Sequence, residues 1–217
     1  MDPELGSAAW TELAQRPLVL VPVGSTEQHG PHLPLQTDTL IATAVAREAA
    51  VRLGGYVAPA VSIGASGEHQ GFPGVVSIGT ETLHLVLVEL VRSLSTWSGR
   101  IVLVNGHGGN VPALARAVDQ LVAEGHDVCW LPCAAGGDAH AGRTETALLL
   151  HLAPLLVRLE LAEAGNTRPV RELLPELVAH GVRRLSPNGV LGDPAGATAA
   201  EGAELFETMV EAVCHGL

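Results

Sequence analysis

Short apolar runs rich in β-branched residues alternate along this chain with segments of helical period, and that alternation restricts the fold more than any other feature. "PLVLVPV" (Pro17 to Val23) reads as a strand buried on both faces. "DTLIATAVAREAAVRLG" (Asp38 to Gly54) follows as a helix, with Asp38 as a possible N-cap and Gly54 as the stop. "YVAPAVSIG" is a second strand, "TETLHLVLVELVRSLSTW" a helix with acidic residues in its first turn, and "RIVLVN" a third strand. The helix "NVPALARAVDQLVAEG", the strand "DVCWLP" and the helix "TETALLLHL" complete the alternation, and the chain closes on a helix in "TAAEGAELFETMVEAVCHGL". The stretch 155–189 gives no clear period. No repeat or linker divides the chain, so residues 1–217 read as one domain, the first few residues being a vector-encoded addition. Such an order predicts a mostly parallel sheet covered on both faces, with ligands bound beyond the carboxyl ends of its strands.

Composition narrows the chemistry. The formal net charge is −11, which disfavours nucleic acid and anionic membranes as partners. No apolar run reaches the ~18 residues needed to span a bilayer. The start "MDPELGSAAW" lacks a basic segment followed by an apolar one, so the expected location is the cytoplasm. Cys129, Cys133 and Cys214 lack zinc-knuckle spacing and read as reduced core thiols. The chain contains no lysine; its basic side chains are all arginine apart from histidine. Schiff-base chemistry, a P-loop lysine and Ser-x-x-Lys hydrolysis are thereby excluded, and no GxSxG elbow is present. Catalysis must rest on histidine, carboxylates or a metal.

Three strand ends carry that chemistry. "GSTEQHGPH" follows the first strand, "GHGGN" the third and "AAGGDAHAGRTE" the fourth, and parallel strands bring these loops to one edge. Glu27 and His29, two residues apart, point to the same side of an extended segment. Asp38 starts the next helix; His107 stands among Gly106, Gly108 and Gly109; Asp138, His140 and Glu145 come from the last loop. Mixed imidazole and carboxylate donors suit Zn²⁺, Fe²⁺ or Mn²⁺, and several carboxylates without lysine call for a pair of divalent cations. Each residue has a plainer reading: Asp38 as a cap, Glu27 as a loop acid, His140 as a hydrogen-bonded loop histidine. A dinucleotide loop fails because Val111 stands where the third glycine belongs. His32 reads as a supporting residue near the ligands. His84, His126, His151, His180 and His215 read as structural or solvated.

"GSTEQHGPHLPLQTD", "GEHQGFPG", "NGHGGN" and "HAGRTET" resemble, in order and spacing, the creatininase (creatinine amidohydrolase) family, over nearly the whole chain from about Pro17. The resemblance implies a three-layer α/β/α sandwich with a mostly parallel central sheet, two divalent metal ions per subunit, amide hydrolysis and a ring-like homo-oligomer such as a hexamer. It implies Glu27 and His107 on one metal, His29 on the other, and Asp38 between them. Creatinine-cleaving members place a glutamate two residues after the "NGH" histidine; this chain has Gly109, and Glu145 is the candidate to fill the gap. An aromatic residue that those members carry before "HAG" is also absent, Gly136 lying in that region.

On this reading a water activated at the metals attacks an amide carbonyl, and His140 gives a proton to the departing nitrogen. N–H groups around Gly108 and Gly109 brace the oxyanion. Glu68, His69 and Asp138 shape or support the pocket, and Arg143 is a candidate partner for a substrate carboxylate. Within the family the chain is most similar to members of the mycofactocin system. That implies a peptidase releasing a C-terminal dipeptide-derived unit from a modified precursor peptide, with a small amide as the other substrate class. Formamide deformylation and creatinine hydrolysis are the alternatives inside the family; a non-catalytic metal-binding protein is the rival outside it.

Overall fold

A computed structural model describes residues 3–217. Four strands form one parallel sheet in the order β2-β1-β3-β4: β1 Val19–Val23, β2 Tyr56–Val57, β3 Ile101–Asn105 and β4 Val128–Pro132. β1 and β3 pair along their full length, from Val19 opposite Ile101 to Val23 opposite Asn105, and every residue of both is buried. That is why each reads as an unbroken apolar run rather than an alternating one.

Successive residues of β1 point to opposite faces and build two cores. Val19, Val21 and Val23 join Ile101 and Leu103 against α2 (Gly79–Leu94) and α3 (Val111–Ala123). Leu20, with Val102 and Val104, packs on the other face against α1 (Thr37–Leu53), α4 (Arg143–Leu152) and α7 (Ala199–His215). The result is the three-layer sandwich expected. Leu20 and Leu103 are fully buried, and truncating either to alanine should cost ~2–5 kcal/mol. No helix among the described residues is long and apolar enough to cross a membrane.

Three local expectations change. The second strand is short. After Tyr56–Val57 the chain continues beside β1 through Ala58 N–H to Leu20 O, Val61 N–H to Pro22 O and Gly24 N–H to Val61 O. Pro59 has no N–H to extend a ladder. Asp38 is not the cap of α1: Gln36 precedes the first helical residue, Thr37, and Asp38 lies inside the first turn with its carboxylate buried. The uncertain stretch contains 3₁₀ turns, α5 (Val170–His180) and α6 (Val182–Leu185), which pack with Phe72 and Leu191 around Leu173 and Val182.

The turn from β1 towards α1 is tight. A Cβ on Gly24 would lie 2.4 Å from Thr39 Oγ1 and 2.5 Å from Thr39 Cα, so only glycine lets the helix start this close to the strand end. That proximity brings Asp38 over the sheet edge.

Candidate active site

Glu27 and His29 follow β1, His107 follows β3, and His140 and Glu145 follow β4, with Glu145 in the first turn of α4. With Asp38 they meet at the carboxyl ends of the parallel strands. Glu27, His29 and Asp38 are almost completely buried, and His107 and His140 are less than a tenth exposed.

Asp38 stands between two histidines. Its Oδ1 is 3.0 Å from His29 Nε2 and its Oδ2 is 3.2 Å from His107 Nδ1. Ser25 Oγ donates to Oδ2 at 2.7 Å and fixes the carboxylate. Glu27 Oε2 is also 3.2 Å from His107 Nδ1, and Glu145 Oε1 is 3.8 Å from His29 Nε2. Two triads with converging donor atoms result, Glu27/Asp38/His107 and His29/Asp38/Glu145, and they share Asp38. A third combination, Glu27/His29/His140, also converges, so His140 stands within reach of the same space as the ligand candidates.

The charges are strongly coupled. Burial, and then repulsion from Asp38, pushes the Glu27 carboxyl up to about 7. Burial would lower the His29 imidazole, but the Asp38 and Glu145 carboxylates outweigh it and hold it at about 10. His107 is likewise raised against burial, chiefly by Glu27 and Asp38. Asp38 is held well below its ordinary range by the two imidazoles despite its burial. Neither oxygen of Glu27 is matched by a hydrogen bond among the described residues. A buried carboxylate left in this state is costly unless a cation compensates it. The oxygen-and-imidazole donor set fits a divalent ion.

His140 donates from Nε2 to the Gln28 carbonyl at 2.7 Å, which leaves Nδ1 as the nitrogen facing the cluster, 3.8 Å from Glu27 Oε1. Burial, and then the nearby His29 and His69, keeps this imidazole well below its usual range. His69 lies deeper than its loop suggested, with Nε2 3.2 Å from Glu27 Oε1. Glu68 Oε1 is 3.3 Å from His107 Nε2. His32 is buried and bonded through Nε2 to Thr146 Oγ1 at 2.9 Å, behind the cluster. Asp138 accepts from the backbone N–H groups of Arg143 and Thr144, so it caps α4 rather than facing the triads. Arg143 is committed to Glu201, with Nε 2.8 Å from Oε1, so its guanidinium does not present itself to the cluster.

A cavity of about 790 Å³ opens over the cluster. Its floor includes Glu27, Asp38, His107, His140 and Glu145, with Gly108 and Gly109 on one side. Val170, Leu174, Leu177 and Val178 of α5 form an apolar wall, and His180, exposed at the end of that helix, borders the space. Gln28 was overlooked in the sequence. Its side-chain N–H groups lie 2.9 Å from His69 Nδ1 and 3.0 Å from Gly189 O, joining the site to the distant 189 turn. An amide between two ionisable residues of one loop gives no separate signal.

A family model described as creatininase, creatinine amidohydrolase, matches residues 6–217. The chain belongs to the creatininase family. Members of that family are metal-dependent amidohydrolases. Among the relatives of this creatininase-family chain is the mycofactocin precursor peptide peptidase of Mycobacterium tuberculosis, 55% identical over 96% of this chain and 88% of its own length. The protein of that name from Mycolicibacterium smegmatis is 57% identical over 89% of this chain and 81% of its own. Among solved structures, a mutant creatininase of Zn-Zn type superposes with a TM-score of 0.82 at 26% identity, covering 100% of this chain and 97% of the other.

Proposed function

We propose that this chain is a two-metal peptidase that cuts a modified precursor peptide near its C-terminus, releasing a dipeptide-derived unit for mycofactocin biosynthesis. The observation that carries the two-metal part is the sharing of Asp38 by two donor triads. Glu27, Asp38 and His107 would hold one ion, and His29, Asp38 and Glu145 the other; Zn²⁺, Fe²⁺ and Mn²⁺ all fit these donors. Two such ions supply the positive charge that polarises an amide carbonyl and makes a water acidic enough to attack it at neutral pH.

The protein's own groups do the rest. Gln28 O holds His140 by Nε2–H, so Nδ1 is the atom that receives a proton and passes it to the departing nitrogen. Gly108 and Gly109 expose backbone beside the cluster for the substrate carbonyl. Glu27, Asp38, Glu68 and Glu145 line the cavity together with histidines and no arginine. Four carboxylates against two divalent ions leave the loaded site near neutral, which suits a neutral backbone amide. The cavity is also large and walled by apolar side chains on α5, which favours a peptide over creatinine or a formamide. The similarity to the two mycobacterial peptidases supports the same substrate class. Assembly as a homo-oligomer belongs to the proposal; exposed Leu155, Leu156 and Leu159 in the turns before α5 are its support.

The test is mass spectrometry of metal-loaded protein incubated separately with a modified precursor peptide, creatinine and an N-formyl aminopyrimidine. Cleavage of the peptide at one amide near its C-terminus is expected. Faster turnover of either small molecule overturns the peptidase reading and leaves amide hydrolysis standing.

A further inference from the structure

His107 has carboxylates at both ring nitrogens. Nδ1 faces Glu27 and Asp38; Nε2 is 3.3 Å from Ala65 O and 3.3 Å from Glu68 Oε1. A ring that gives its Nδ1 lone pair to a cation keeps one proton, on Nε2, and these two oxygens are there to receive it.

Glu68 reaches this position because residue 109 is glycine. A Cβ on Gly109 would lie 2.5 Å from Glu68 Oε1, 2.4 Å from His107 Nε2 and 2.5 Å from Ala65 O. The carboxylate thus occupies volume that any side chain at 109 would claim. The loop that carries it is anchored. Ala65 N–H donates to Asn110 Oδ1 at 2.9 Å, and Ser66 N–H donates to Ser77 Oγ at 2.9 Å. The Asn110 amide in turn donates to Gly24 O at 2.9 Å, at the end of β1. One asparagine therefore ties the Glu68 loop to the two loops that supply Glu27 and His107.

We propose that Glu68 is the positioning residue of His107: its carboxylate accepts the Nε2 proton and holds Nδ1 towards Glu27 and Asp38. This rests on the two-metal reading. A carboxylate at this distance fixes the tautomer, prevents a ring flip and makes Nδ1 a better donor. Glu68 acts through His107 and needs no contact with the substrate.

The experiment compares wild type, Glu68→Ala and Glu68→Gln for Zn²⁺ affinity by chelator competition, with ¹⁵N-histidine spectra of the zinc-loaded proteins. Glu68→Ala should weaken one of two zinc ions ~10–100-fold and leave the other unchanged. Glu68→Gln keeps an oxygen acceptor, so it should fold as wild type, lose less affinity and keep the His107 proton on Nε2. Wild-type affinities and unchanged His107 ring signals in Glu68→Ala would overturn the proposal and assign the ring's orientation to Ala65 O alone. A wild-type protein that takes up no zinc would instead remove the two-metal reading, and this proposal with it.

Discussion

Asp38 Oδ1 lies 3.0 Å from His29 Nε2, a contact that depends on Gly24 letting α1 start so close to the end of β1. The other oxygen of that carboxylate faces His107. An aspartate used twice in this way has no substitute. Asp38→Ala should therefore abolish binding of at least one ion, read by metal analysis of the purified protein. Unchanged metal content in a folded Asp38→Ala protein would refute the assignment.

Glu145 spans two duties. Oε1 faces His29 at 3.8 Å, and Oε2 accepts from Ala141 N–H, where the backbone adopts a positive φ of 53°. Glu145→Gln keeps a hydrogen-bond acceptor but weakens a ligand. Circular dichroism should stay as in wild type while occupancy at the His29 side falls. Full occupancy there would show that Glu145 only supports the turn.

His140 can reach either a proton or an ion, and the choice is measurable. If it handles the proton, His140→Ala keeps both ions and lowers kcat by ~10²–10⁴-fold. Loss of an ion on that substitution would reassign it as a ligand in the Glu27/His29/His140 group.

Metal uptake should expel protons. Without an ion, His29 is held at about 10 by Asp38 and Glu145 against its burial, so it is protonated at pH 7; His107 is raised as well. Both must be neutral to bind. Zinc loading at pH 7 should release about two protons from these imidazoles and part of a third from Glu27, held at about 7, and affinity should rise with pH until His29 is neutral without help, near 10. Calorimetry in buffers of different ionisation enthalpy reads the number. Zinc binding without proton release would mean that these imidazoles are not the ligands.

The strands and helices legible in the sequence are those whose burial is uniform. β1 and β3 are covered on both faces, so no alternation confuses them. α1 ends where its glycine says, with Gly54 in the left-handed region at φ 71°. α5 was not legible because part of its apolar side lines a cavity instead of the core, and Pro175 lies within it. The ligand candidates could be found because three separate loops carry the same chemistry. The supports could not. Gln28 and Asn110 matter through their amides, and a sequence does not show which backbone or ring an amide will reach. Arg143, by contrast, looked well placed but is held by Glu201 on the neighbouring helix.

A sheet in which all strands run the same way separates its two rims. The loops at the carboxyl ends carry the ionisable cluster, while at the opposite rim the strand starts are joined by backbone bonds such as Gly99 N–H to Pro17 O and Ile101 N–H to Asp127 O. Arg100 and Asp127 project from that rim with exposed side chains. A dye or a surface tether attached at Asp127 would sit a full strand length from the cavity. This chain can therefore be immobilised or labelled from behind, its mouth left open to a long substrate.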